Sequence, residues 1–159
     1  MEALMKMKKG KERVASRRLK RGGTKKGRRS ILEGVSRASP SLSQAYHLTQ
    51  KASRVGFDWP NIEGVLGKLE EEMGEFREAL FLQDRRRIRE EIGDLLFVMA
   101  NVSRFLRIRP EEALKKSLDK FMSRFHYIET CLHTQGKSFS QSNLIEMDRL
   151  WRESKKKRR

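Results

Sequence analysis

Two stretches of this chain, residues 62–80 and 88–106, repeat apolar residues at helical spacing, and carboxylates interrupt both apolar stripes. Ile62, Val65, Leu66, Leu69, Met73, Phe76 and Leu80 recur every three to four positions in the first. Ile88, Ile92, Leu95, Leu96, Met99, Val102 and Leu106 do so in the second. Within them stand Glu72-Met73-Gly74-Glu75 and Glu91-Ile92-Gly93-Asp94. Residues three apart on a helix share a face, so each motif aims two carboxylates the same way. Glu72 falls between Leu69 and Phe76, and Glu91 and Asp94 flank Ile92 and Leu95. These are positions from which carboxylates are normally excluded, because burying one costs several kcal/mol unless it is paired or bound to a cation. Two such helices packed face to face bring four carboxylates together, and like charges that close repel unless a cation lies between them. By contrast Glu70, Glu71, Glu78 and Glu90 reach solvent and need no special role.

The chemistry of that site follows from its ligands. Carboxylate oxygens without His or thiolate suit hard cations such as Mg²⁺, with Mn²⁺ as a substitute. A di-iron carboxylate bundle uses Glu-x-x-His on two helices, and none of His47, His126 and His133 has a Glu three residues before it. Mg²⁺ held by carboxylates completes its shell with water and substrate phosphate, which points to phosphate chemistry. The cations such a substrate needs are offered by Lys120 and Arg124, four apart on a later helix beside Phe121 and Phe125. Taken alone, that pair reads equally as two surface side chains whose stems cover the apolar stripe.

The remaining pattern is helical throughout, with no strand-like alternation. A first helix is expected from about Leu42 to Arg54, broken by Gly56-Phe57-Asp58-Trp59-Pro60. A second starts near Asn61, and a third follows Gln83-Asp84, with Asp84 as its N-cap. A fourth opens at Pro110, runs to about Thr134 and is ended by Gly136. After a Ser-rich loop, a short helix from about Asn143 to Lys155 presents Leu144, Met147, Leu150 and Trp151. The fold class is therefore all-α, an antiparallel bundle of about four main helices plus a short C-terminal one. A bundle this short leaves its apolar faces partly covered, so a homo-oligomer, in the simplest case a dimer, is expected.

Charge divides the chain further. The net charge of +16 on 159 residues is not spread evenly. Residues 1–44 hold 14 Lys or Arg against 3 Glu, residues 155–159 are all basic, and residues 45–154 hold 18 basic and 18 acidic residues. We therefore divide the chain into a basic, disordered segment over 1–40, a helical domain over 41–154 and a basic tail over 155–159. A neutral body with basic ends does not read as a nucleic-acid-binding fold, although the tails suit non-specific contact with nucleic acid. Cys131 is the single cysteine, so no disulfide framework exists. No apolar run is long enough to span a bilayer, and the start lacks the apolar core of a secretory signal. The expectation is a cytoplasmic protein with no membrane partner; the Arg-rich start also has the composition of an organelle transit peptide.

From about Gly34 to Lys156 the chain resembles the MazG family of nucleoside triphosphate pyrophosphohydrolases, of the all-α NTP pyrophosphohydrolase superfamily. The segments that carry the likeness are Arg54-Val-Gly-Phe-Asp-Trp-Pro60, Lys68-Leu-Glu-Glu-Glu-Met-Gly-Glu75, Glu90-Glu-Ile-Gly-Asp-Leu-Leu-Phe97, Pro110-Glu-Glu-Ala-Leu114, Lys120-Phe-Met-Ser-Arg-Phe125 and Met147-Asp-Arg-Leu-Trp151. The resemblance implies that Glu72, Glu75, Glu91 and Asp94 bind Mg²⁺ and act in catalysis. It implies that Lys120 and Arg124 contact the triphosphate, with Trp151 and Lys155 completing the nucleotide pocket. It also implies cleavage between the α and β phosphates, giving a nucleoside monophosphate and pyrophosphate. Relatives often carry two such domains in tandem, and this chain is similar to the C-terminal one. Leu118 stands where the family usually has Asn. The competing function classes are a nucleic-acid-binding protein acting through its basic ends, and a regulatory bundle whose acidic site is silent.

Overall fold

The computed structural model describes residues 30–156. The segment read as disordered falls largely outside the described residues, as does the end of the basic tail. Five helices make up the described part: α1 (Ser41–Ser53), α2 (Ile62–Phe81), α3 (Arg85–Phe105), α4 (Pro110–Thr134) and α5 (Leu144–Lys156), with a 3₁₀ turn at Phe139–Gln141. No strand occurs among the described residues. Every helix expected from periodicity is present, with its ends within about two residues, the usual latitude of helix boundaries. The 3₁₀ turn lies inside what reads as loop, where Ser138 and Gln141 form a reciprocal capping box. Helix α5 continues through Lys155 and Lys156, two residues into the segment assigned to the tail.

Local chemistry sets the boundaries. Asn61 caps α2 by accepting from the Gly64 N–H at 3.1 Å. Asp84 caps α3 by accepting from the N–H groups of Arg86 and Arg87 at 3.0 and 3.1 Å. Pro110 occupies the first turn of α4, where its missing N–H leaves no bond unmade. At the other end of α4, Gly136 has φ +68°, and Lys137 and Gly136 donate back to the carbonyls of Leu132 and His133. That is a Schellman stop, and its left-handed residue favours glycine.

Packing separates the domain into two parts. Helices α2 and α3, joined by three residues, form a hairpin against which α1 lies, mainly on α3. Val65, Val98 and Val102 are its apolar centre, with Trp59, Ile62, Leu69 and Phe105 around them. Helices α4 and α5 form a second hairpin centred on Ile128, Leu132 and Leu150, flanked by Cys131, Met147 and Trp151. The turn before α2 is pinned to the first hairpin. The Arg104 guanidinium donates to both oxygens of Asp58 at 2.9 and 2.5 Å and to Asn101 Oδ1 at 2.8 Å. Trp59 then lies so close to Gly64 that a Cβ there would meet its ring at 2.6 Å. These contacts account for Asp58 and Trp59 in the Gly-Phe-Asp-Trp-Pro segment: both fix α2 against α3.

The acidic seam and the aromatic hairpin

Positions 65, 72 and 79 of α2 are one heptad apart and are the three buried residues of that helix: Val65, Glu72 and Ala79. Glu72 therefore takes the middle slot of a seam whose outer slots are fully buried and apolar; it is 5% exposed. Helix α3 repeats the arrangement, with buried Glu91 one heptad before buried Val98. The second apolar stripe of α2, Leu66, Met73 and Leu80, faces outward, as do Ile92, Leu96 and Met99 of α3. The sequence stripes thus divide into an inner seam, which carries the carboxylates, and an outer one.

Across the inner seam, carboxylate oxygens of Glu72, Glu91 and Asp94 lie within 4.8 Å of one another. Asp94 is at the exposed mouth of the cluster and Glu72 at its closed end. Glu75, the fourth expected acid, is exposed and stands outside this tight group, yet close enough that its charge acts on Glu91. Burial pushes the Glu91 carboxyl above the ordinary range, and the charges of Glu75, Glu72 and Asp94 push it further. Asp94 is raised by burial and by Glu72, with Lys68 opposing. A set of oxygens arranged this way stabilises a hard cation and is destabilised without one.

Sequence reasoning passed over Lys68. Its ammonium lies 2.6 Å from Glu72 Oε1 and 2.8 Å from Glu71 Oε1. Burial alone would lower its pKa, but hydrogen bonds to Glu71 and Glu72 outweigh that and hold it above the usual lysine range. The available signal was spacing, since Lys68 precedes Glu72 by four residues and an i,i+4 pair on a buried stripe becomes a buried pair.

The expected phosphate-binding residues sit on the second hairpin. Lys120 is exposed on α4, and Lys155 is exposed one turn beyond Trp151 on α5. Arg124 and Trp151 are brought together, the guanidinium carbon 5.5 Å from the indole centre. Among the described residues, Arg124 Nε is buried without a hydrogen-bond partner. Four rings run along this hairpin: Trp151 against Phe121 at 5.4 Å, Phe121 stacked on Phe125 at 5.9 Å, and Phe125 stacked on Phe139 at 5.4 Å. The structure thus joins three of the four acids directly, and Arg124 to Trp151, while Lys120 and Lys155 are exposed at the rim. Leu118 is an exposed residue of α4.

Residues 61–128 match the MazG nucleotide pyrophosphohydrolase domain, a span that contains both acidic motifs. The chain carries a MazG domain. It is 42% identical over 116 residues to the nucleoside triphosphate pyrophosphohydrolase/pyrophosphatase MazG of Thermotoga maritima, covering 73% of this chain and 44% of that one. It is 33% identical over 135 residues to the nucleoside triphosphate pyrophosphohydrolase of Escherichia coli K12, covering 82% of this chain and 51% of that one. A shorter stretch of 72 residues is 44% identical to the uncharacterized protein YabN of Bacillus subtilis, 15% of whose length it covers. The chain spans about half or less of the length of the curated relatives it matches. The MazG domain is all-helical among its described residues, and no helix there is long and apolar enough to cross a membrane.

Proposed function

We propose that this MazG domain hydrolyses nucleoside triphosphates between the α and β phosphates, releasing pyrophosphate and a nucleoside monophosphate, with Mg²⁺ as cofactor and Mn²⁺ as a substitute. The observation that carries the reading is the convergence of Glu72, Glu91 and Asp94 within 4.8 Å on a seam that is otherwise apolar. The donor set fits the ion: hard oxygens only, carboxyls of Glu91 and Asp94 raised by burial and by neighbouring carboxylate charge, and the Lys68 ammonium against Glu72. Glu72, Glu91 and Asp94 would hold it, with Glu75 at the margin. When bound, such an ion neutralises phosphate charge and lowers the pKa of a coordinated water.

The chain's own residues do the rest. Closure of the seam by Val65 and Ala79 fixes the carboxylates in place before substrate arrives, so little reorganisation accompanies reaction. Lys120 and Arg124 offset charge building on the phosphates, and Arg124 is held by its cation–π contact with Trp151. The guanidinium supplies a fork of N–H donors suited to phosphate oxygens. Trp151 and Lys155 complete the nucleotide side. The biological role that follows is removal of excess or non-standard nucleotides from the pool.

The exposed apolar residues Leu66, Met73 and Leu80 of α2 and Ile92, Leu96 and Met99 of α3 support association with a second copy. The unit proposed to perform the chemistry is residues 41–154, with the basic ends dispensable for turnover and available for non-specific contact with nucleic acid. Cytoplasmic residence is part of the same reading.

Pyrophosphate release measured over a panel of NTPs and dNTPs, with Mg²⁺, with Mn²⁺ and with chelator, tests the proposal. Metal-dependent release with a monophosphate as co-product is expected. Salt-dependent binding of DNA or RNA without turnover of any nucleotide would replace it with the nucleic-acid reading. Nucleotide binding without pyrophosphate release would replace it with the silent, regulatory one.

A further inference from the structure

We infer that Lys68 is the resident counter-ion of the acidic seam, the group with which a divalent cation competes for Glu72. The inference rests on the metal-site reading above and goes beyond it, because it gives the metal-free protein a defined state. Glu72 is the most enclosed of the cluster's carboxylates, and it accepts from the Lys68 ammonium at 2.6 Å. The lysine and glutamate side chains are 11% and 7% exposed, more enclosed together than the Arg104–Asp58 pair that clamps the loop before α2. A buried glutamate beside two further carboxylates would be strongly unfavourable alone, so the ammonium is what keeps the seam closed when no metal is present.

Three features make this contact exchangeable. An ammonium is a compact charge on a flexible stem, without the two-pronged grip of a guanidinium. Lys68 and Glu72 are one turn apart on the same helix, so release requires side-chain rotation and no movement of α2 against α3. Glu71 Oε1, 2.8 Å from the same ammonium and on the exposed side, is a partner to which Lys68 remains attached once Glu72 is engaged elsewhere. Lys68 is therefore a positioning residue that also tunes affinity: its charge supports the apo fold and opposes entry of the ion.

The test is Mn²⁺ binding to the full chain without nucleotide, by isothermal titration calorimetry, at a temperature where circular dichroism shows each variant folded. Lys68→Met and Lys68→Gln should bind Mn²⁺ at least about threefold more tightly than the unaltered chain, because a positive charge next to the ion is removed. Lys68→Arg should stay within about twofold, because it keeps that charge. The metal-free melting temperature of Lys68→Met should fall, and saturating Mn²⁺ should restore it. If Lys68→Met does not fold, Lys68→Gln, which retains a hydrogen bond to Glu72, decides the question. Unchanged or weaker Mn²⁺ affinity in the neutral variants would overturn the inference and leave the metal site standing. An unaltered chain that takes up no Mn²⁺ would overturn both.

Discussion

The two hairpins are built to the same plan and filled differently. In α4–α5 the seam is apolar at its centre, Ile128, Leu132 and Leu150 each no more than 4% exposed, and the polar groups of interest stand at its rim. In α2–α3 the polar groups occupy the seam itself, Glu72 between Val65 and Ala79 and Glu91 one heptad before Val98. The first arrangement stores stability; the second gives up stability to fix charged groups in a preset geometry. The teaching of the difference is that one kind of substitution should have opposite consequences in the two places.

The sharpest break of that contrast is removal of charge from the acidic seam. Glu91→Gln and Asp94→Asn should each lower pyrophosphate release by at least about a thousandfold, a loss near 4 kcal/mol of transition-state stabilisation. The same variants should melt no lower than the unaltered chain without metal, because burial and neighbouring carboxylates already disfavour the charged form at both positions. Turnover within a few-fold of normal would sink the metal assignment. A melting temperature many degrees lower would show that the carboxylates support the fold instead.

The mirror experiment belongs to the other hairpin. Leu150→Ala removes most of a side chain that is 2% exposed against Ile128 and Leu132, and should cost about 2–5 kcal/mol of stability. Chemical denaturation reads this directly. Below its melting transition the variant should keep its kcat. A large fall in kcat with intact stability would mean that α5 carries chemistry along its core face as well as at its rim.

How much of this was legible in the sequence differs between the hairpins for a physical reason. Helix positions, the Asp84 cap, Pro110 at the start of α4 and the Gly136 stop all followed from local rules, because caps and stops act within a few residues. Glu72, Glu91 and Asp94 could be picked out because a carboxylate on an apolar stripe is anomalous by itself. Period alone could not say which of two overlapping stripes faced inward, since residues 65, 72, 79 and residues 66, 73, 80 repeat equally well. Only the choice of partner helix decides that. Lys68 was missed because a lysine four residues before a glutamate is ordinarily a solvated pair. The clamp of Asp58 by Arg104 links residues 46 apart and has no local signature.

Arg124 sharpens the comparison, since it is a rim residue with a half-buried stem. Arg124→Ala should lower kcat/KM for a nucleoside triphosphate by roughly tenfold or more, about 1.4 kcal/mol, with little change in melting temperature. Lysine should substitute poorly, because it supplies neither the planar guanidinium set over Trp151 nor its fork of donors. Normal kinetics with a melting temperature several degrees lower would make Arg124 a packing residue of the second hairpin and remove it from the site.

The smallest effect expected is on the pH dependence of stability, and it separates the acidic seam from the rest of the molecule by sign. Glu91 and Asp94 have raised pKa values in the folded chain, so the folded form binds more protons than the unfolded one between their ordinary and raised values. Their relative contribution is complete below the ordinary carboxylate value and declines as pH rises through the folded one. Acidifying the metal-free protein from neutral pH should therefore first raise its melting temperature. Outside the seam the sign reverses. Glu146 is held below the usual range by hydrogen bonds from Lys137 and Ser142, and Asp84 by the N–H groups of Arg87 and Arg86. Their contributions are lost as pH falls through those lowered values, so the melting temperature should turn down again in stronger acid. Saturating Mg²⁺ should erase the initial rise, because a bound cation favours the charged carboxylates, and Glu91→Gln should reduce it without metal. A melting temperature that falls steadily from neutral pH in the metal-free protein would mean that the seam holds its carboxylates without strain, and the contrast between the hairpins would fail there.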